Sequence, residues 1–446
     1  MYYKRLIDTY LIDWKAQPNR KPLLLRGARQ VGKSAAVREL AKKFDDFVEI
    51  NFEESPQLKT LFEPDLNPAR IVESLSIFMG KPIVPNRTLV FFDEIQACPN
   101  AISSLRFFYE KMPELHLVAA GSLLEFALQS LPSYGVGRVR SLFMYPFSFD
   151  EFLVAMGESA LLEAKKKASF REPLLVLLHQ KLNDLLKKFM VIGGMPEAVK
   201  SYAETRQLLN TQSVLDDLYI ALKADFVKYK NSVPPNRLTE VFEAIVKQTG
   251  GKFVFNKASQ TANHGQIKEA VELLCMAGLA IAVTHSAANG IPLGAEIDPK
   301  KRKLMLFDTG IYQRILGLNL SDFLFDPAST VINKGVVAEQ FWGLEYLKYS
   351  SPFTSPALHY WHRETANANA EIDYVVQKGM DVLAIEVKSS GKGSMQSLRQ
   401  FLKEKSNPFG YRFSLENFSE YEDIKSFPLY AVSNFVSQKT LDDTLL

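Results

Sequence analysis

The segment Gly27-Ala28-Arg29-Gln30-Val31-Gly32-Lys33-Ser34 has the residue spacing of a loop that wraps phosphate. Its glycines let backbone N–H groups turn inward around phosphate oxygens. Lys33 can reach the β- and γ-phosphates, and the Ser34 hydroxyl can ligate Mg²⁺ at the start of a helix. Every position from Gly27 to Ser34, that is Gly27, Ala28, Arg29, Gln30, Val31, Gly32, Lys33 and Ser34, is therefore a candidate nucleotide contact. Farther along, Thr88-Leu89-Val90-Phe91-Phe92-Asp93-Glu94 is an apolar run that closes on two carboxylates. Asp93 is placed to hold the metal shell with Ser34, and Glu94 to polarise the water that attacks a γ-phosphate. A nucleotide with a γ-phosphate and Mg²⁺ are the cofactors this chemistry needs.

These groups work only if strands deliver them to one edge. Pro22–Arg26, Phe47–Phe52, Thr88–Asp93, Leu115–Ala120 and Arg140–Tyr145 read as strands, with helical stretches near 71–79, 102–112 and 123–128 between them. Strands alternating with helices imply an α/β fold with a parallel sheet. The fourth strand stops at Gly121-Ser122, where Ser122 serves either as a sensor of the γ-phosphate or attacking water, or as the cap of the next helix. Gly135-Val136-Gly137-Arg138 precedes the last strand, and Arg138 is either an arginine finger reaching a neighbouring subunit's nucleotide or a solvated surface arginine.

Taken together, GARQVGKS, LVFFDE, AAGSLLEF, GVGR and Tyr145-Pro146-Phe147-Ser148-Phe149-Asp150-Glu151-Phe152 resemble the archaeal and bacterial AAA-type ATPase family, whose members carry a C-terminal domain of unknown function. The resemblance covers essentially the whole chain. It implies an ATP-hydrolysing P-loop core with Lys33, Ser34, Asp93 and Glu94 in the roles above, and a homo-oligomer in which an arginine finger completes each site.

The C-terminal part carries a second constellation. Glu371–Gln377 alternates polar and apolar, Lys378–Asp381 is a turn, and Val382–Lys388 returns as a second strand. The register set by that turn puts Asp373 opposite Glu386 and Glu371 opposite Lys388. Asp373, Glu386 and Lys388 then share one face, with the opposed carboxylates about 5 Å apart at their β-carbons. Facing carboxylates among Ile372, Val375, Ile385 and Val387 call for a divalent metal. An Asp, a following Glu-x-Lys and Glu339 on a preceding helix resemble the PD-(D/E)xK nuclease fold, which implies metal binding by Glu339, Asp373 and Glu386 and a catalytic Lys388. Ile372 stands where that family often has proline. The opposing reading is a plain cross-strand salt bridge from Lys388 to Asp373 or Glu371.

Between the two constellations, residues 158–212 read as a helical lid, with Lys165-Lys166-Lys167 and Lys187-Lys188 read as solvated helix faces in preference to a nucleic-acid track. Asn231–Asn236 breaks the helical pattern. Helices over 238–249 and 266–277, then strand-like runs over 279–284 and 303–307, resemble a winged-helix module. The tip of that module, Pro299-Lys300-Lys301-Arg302-Lys303, is basic enough for DNA phosphates. Glu269 and Glu272 on its second helix argue against base reading and favour a structural or partner-docking role. Asp308 reads as a helix cap.

The 446 residues carry 53 Lys+Arg against 50 Asp+Glu, a formal charge of +3, so net charge selects no partner. Two widely separated cysteines, Cys98 and Cys275, exclude a disulfide framework and a zinc ribbon. Their sparse use predicts a reducing, cytoplasmic home, and the absence of a long apolar run predicts no membrane span. The expected division is a P-loop core over 1–145, a lid over 146–235, a winged helix over 236–325 and a mixed α/β nuclease-like domain over 326–446. The expected function is Mg²⁺-dependent ATP hydrolysis coupled to a nuclease-like module acting on nucleic acid, DNA included. The alternative is an ATP-dependent switch that docks a partner without cleaving.

Overall fold

The structure, a computed structural model, describes residues 2–130, 135, 137–229, 233–320, 334–354, 357–363, 370–389 and 394–437. Val136 of the arginine-bearing turn, residues 231–232 of the helix break and the expected 325/326 boundary lie outside them. The chain forms two compact units, Met1–Tyr145 with Ser351–Ser355, and Pro146–Ser350 with Pro356–Leu446.

In the first unit the short apolar runs become β1 (Leu23–Arg26), β2 (Asp46–Asn51), β3 (Thr88–Asp93), β4 (His116–Ala120) and β5 (Arg140–Phe143). All pair in parallel in the order β2-β3-β4-β1-β5. Both faces of the central strands are buried, which explains why Leu89–Phe92 of β3 and Leu117–Ala120 of β4 are continuously apolar rather than alternating. The helices α1 (Leu6–Ala16), α2 (Lys33–Ala41), α3 (Pro68–Met79), α4 (Pro99–Lys111) and α5 (Leu124–Ser130) complete the unit. One core cluster joins Val90 and Phe92 of β3 to Ile102, Leu105 and Phe108 of α4 and to Ile71 and Leu75 of α3. The loop between β1 and α2 begins at Gly27, whose φ is +133°. A β-carbon there would meet the Met144 carbonyl oxygen at 2.1 Å, so only glycine fits. Ser351–Ser355 completes this unit at the β5 edge: the Phe143 N–H donates to the Pro352 carbonyl at 2.7 Å, and the Phe353 ring packs edge-on to Tyr10.

The second unit opens with helices, α6 (Phe149–Ala155), α7 (Ser159–Lys167), α8 (Val176–Ile192), α9 (Pro196–Thr205), α10 (Leu208–Asp225), α11 (Pro235–Gln248) and α12 (His264–Met276). Lys165 is not on a solvated face. It is fully buried, with its ammonium 2.7 Å from Asp150 Oδ1, off-axis for a hydrogen bond, and donating to Ser433 Oγ at 2.5 Å. The helix pattern of α7 holds, but its buried stripe includes a charge that is met by α6.

Then come β6 (Ala280–Ser286), β7 (Ile297–Leu306), α13 (Thr309–Ile315), α14 (Lys334–Tyr349), β8 (Leu358–His362), β9 (Glu371–Lys378), β10 (Asp381–Val387), α15 (Gln396–Lys405), β11 (Gly410–Ser414), β12 (Ser419–Tyr421), β13 (Ile424–Pro428) and α16 (Val432–Ser437). Eight strands form one mixed sheet, β12-β13-β11-β10-β9-β8-β6-β7. Here the expectation of a separate wing is corrected. The β6–β7 hairpin follows its two helices, but β6 also pairs in parallel with β8, so the hairpin is the edge of the same sheet that carries the C-terminal hairpin. The basic segment read as a loop tip, residues 299–303, lies within β7. Asp308 does cap α13, its Oδ1 accepting from the Ile311 N–H at 3.0 Å, while Oδ2 accepts from the Gly194 N–H at 2.6 Å.

Replacing Lys165 by methionine leaves Asp150 buried without its cation. Urea denaturation of the full chain should show a loss of about 3–5 kcal/mol, partly restored when Asp150→Asn is added.

Candidate functional sites

At the C-terminal edge of the parallel sheet, β1 hands the chain to the phosphate loop and β3 hands over Asp93 and Glu94. Gly32 sits at φ +97° just before α2, so the loop can turn its amides inward. The Lys33 ammonium donates to the carbonyls of Gly27 and Ala28 at 2.9 and 2.7 Å, held at the mouth of the loop. Burial, opposed by the charges of Glu94 and Asp93, lowers its pKa from 10.5 to about 8. The Ser34 hydroxyl donates to Asp93 Oδ2 at 2.8 Å, which brings together the expected metal pair. Burial raises the Asp93 carboxyl above its ordinary value against the pull of Ser34. A hydroxyl and a carboxylate are hard oxygen donors of the kind Mg²⁺ takes beside phosphate oxygens, so this pair fits that ion.

Glu94 lies just beyond β3 at φ +47°, a left-handed conformation that costs a glutamate energy and is common at working sites. Three donors converge on its Oε2: Gln96 Nε2 at 2.6 Å, Ser122 Oγ at 2.9 Å and the Ser122 N–H at 3.2 Å. Burial alone would raise its pKa, yet these bonds and the charge of Lys33 outweigh it and lower the value, so Glu94 is held ionised. Ser122 therefore acts on Glu94 in this structure. Gln96 was missed by the sequence reading; its only signal is a position two residues after the glutamate. Gly121 makes room for it, because a β-carbon there would meet Gln96 Oε1 at 2.1 Å. Arg138 is exposed and pairs with Glu110, Nε to Oε1 at 2.6 Å.

In the second unit the hairpin has the register expected from its turn, Asp381 opposite Lys378 through Ile385 opposite Tyr374. The ladder stops there, and the Asp373 carboxylate accepts the Val387 N–H at 2.8 Å. Lys388 does not bridge to Asp373 or Glu371. It pairs with Glu386, two residues back on the same face. Glu371 instead meets Lys303 of β7 at 2.7 Å, and Lys303 also holds Glu339 of α14 at 2.9 Å. Lys303 was read as part of a solvent-facing basic tip, but its side chain is 4% exposed. Its strand is sequence-remote from the hairpin, so nothing local announces the contact. One ammonium among several carboxylates keeps its own proton while leaving the carboxyls short of positive charge. Burial and then Asp373 raise Glu339 to about 8 and Glu386 to about 7, and burial raises Asp373 as well. Glu386 Oε2 is buried with no hydrogen-bond partner. Among the described residues, no group of three or more His, Cys, Asp or Glu side chains is arranged to hold a metal ion.

Residues 19–153 match the family model described as an AAA domain. Residues 183–322 and 334–430 match two families described as domains of unknown function, DUF8612 and DUF4143. The first unit thus carries an AAA-type P-loop ATPase domain. A comparison with curated proteins finds no match. Among solved structures, the Walker-type ATPase paby2304 of Pyrococcus abyssi is similar at 13% identity and TM-score 0.46, over 71% of this chain and 96% of that one. The Aeropyrum pernix ORC1 protein in complex with DNA matches at 12% and 0.30, over 73% and 94%. A single-substitution variant of Thermotoga maritima RuvB matches at 14% and 0.32, over 67% and 91%. At these scores the likenesses carry no argument about function. No helix among the described residues is long and apolar enough to cross a membrane.

The lowered pKa of Lys33 gives nucleotide binding a pH dependence. Below about 8 the ammonium meets phosphate already charged, and above it binding must first take up a proton. The ATP dissociation constant should rise toward about tenfold per pH unit above that point, and Lys33→Ala should bind weakly at every pH. Titration with a fluorescent ATP analogue across this range checks both.

Proposed function

We propose that the chain is an Mg²⁺-dependent ATP hydrolase whose nucleotide state governs the docking of a partner, nucleic acid among the candidates, on its second unit. The observation that carries the hydrolytic part is the Glu94 carboxylate, fixed through one oxygen by Ser122 and Gln96 in a site that also gathers Lys33, Ser34 and Asp93. Mg²⁺, when bound, supplies charge stabilisation to the phosphates. Lys33 holds the β- and γ-phosphate oxygens, Ser34 and Asp93 furnish the oxygen pair for the ion, and Glu94 orients and takes the proton of the attacking water. A homo-oligomer with Arg138 as the finger is part of this reading, and it requires Arg138 to leave Glu110.

The docking role is supported by the lysines that engage the C-terminal carboxylates. A second reading, metal-dependent phosphodiester cleavage with Lys388 beside Asp373, Glu386 and Glu339, is supported by the unpartnered Glu386 Oε2 at the end of the hairpin.

Glu94→Gln should keep ATP binding and lose about 10²–10⁴-fold in turnover, the usual contribution of a general base. Unchanged turnover would remove Glu94 from that role. The same preparations, incubated with supercoiled and linear DNA, Mg²⁺ or Mn²⁺, with and without ATP, should leave the DNA intact. Cleavage that disappears in Asp373→Ala would replace docking by the nuclease reading.

A further inference from the structure

Four carboxylates meet on the β9–β10 side of the second unit, Glu371 and Asp373 from β9, Glu386 from β10 and Glu339 from α14. Two of them, Glu339 and Glu371, share a cation supplied by the chain itself. Lys303 reaches in from β7, its ammonium 2.9 Å from Glu339 Oε1, 2.7 Å from Glu371 Oε1 and 5.2 Å above the centre of the buried Tyr360 ring. Asp373 and Glu386 are met separately, by the Val387 N–H and by Lys388. The helix that carries Glu339 is fixed in place by Tyr374, whose hydroxyl donates to the Glu339 carbonyl at 2.9 Å. Glu339 is therefore aimed at the lysine by the fold itself.

We propose that the Lys303 ammonium is the resident cation of this cluster and that the cluster does not take Mg²⁺ or Mn²⁺. An ammonium is a compact charge with several donor directions, so it can satisfy two carboxylates at once. A divalent ion needs the same Glu339 oxygen at a shorter distance, and it would have to sit next to a positive charge in a setting that screens little. Expelling Lys303 would unpack a nearly buried stem from Tyr360 and leave the ammonium without its two carboxylates. The family models divide this cluster: Lys303 falls in the segment 183–322 and all four carboxylates in 334–430. The cation thus belongs to the site only once β6 has paired with β8. The inference deepens the docking reading of the second unit and is independent of ATP hydrolysis.

The test is Mn²⁺ binding to the full chain without nucleotide, read by electron paramagnetic resonance of the free ion, in an Asp93→Asn background that removes the P-loop metal pair. That background should bind no Mn²⁺ at millimolar concentration. Adding Lys303→Met should create one site per chain, seen also as a rise in melting temperature with Mn²⁺, and adding Glu339→Gln should abolish it. Mn²⁺ bound in the background and lost on Asp373→Asn overturns the proposal, as does a folded Lys303→Met chain that binds none. If Lys303→Met does not fold, the background and its Asp373→Asn partner still decide between these outcomes. ATP turnover of the chain with Asp93 intact is scored separately, so a failed ATPase reading does not count against Lys303.

Discussion

An ammonium taken out of water must be met by oxygen, and much of this molecule is arranged around that requirement. Lys33 is met by two carbonyls of its own loop, Lys165 by Asp150, Lys348 by Glu345 and the Phe147 carbonyl, and Lys303 by Glu339 and Glu371. The partners differ in chemistry, and that difference separates the roles. Burial lowers Lys33 toward neutrality, and its carbonyl partners, which offer less than a full counter-charge, can be exchanged for phosphate. Carboxylates bind Lys303 so well that its proton is secure. The same residue type is a reagent in one place and a fixture in the other.

Hydrolysis depends on a related balance at Glu94. A base must be ionised, yet each hydrogen bond that keeps it so also makes it a weaker acceptor for water's proton. Three bonds on one oxygen hold the carboxylate still and charged. The left-handed backbone at this residue is the local cost of turning it out of β3 toward the loop.

What could be read from the chain without its fold follows from the range of the interactions. The phosphate loop, the strand ending in Asp93-Glu94 and the β9–β10 register are set by residues close together in sequence, and the structure has them where spacing and turn chemistry put them. Lys165 and Lys303 were misread for the opposite reason. Each sits in a run of basic residues whose other members are exposed or half-buried, and what buries it arrives from elsewhere, α6 and α16 for the first, α14 and β9 for the second. Charge patterning along an element says that a lysine is present; only the packing of distant elements decides whether water reaches it. The wing was misjudged in the same way, because a hairpin looks alike whether its outer strand is free or paired with β8.

One of the two edge strands of the parallel sheet, β5, has the bare row of backbone groups on which strands of other chains can add. Here Ser351–Ser355 stands against it at Phe143, and this guard is encoded about 200 residues after the strand it covers. Chain elongation at roughly 5–20 residues per second leaves that edge uncovered for about 10–40 s on the ribosome. Until then the β5 edge lacks its Pro352 partner, and an amino-terminal fragment ending at Tyr145 would lack it permanently.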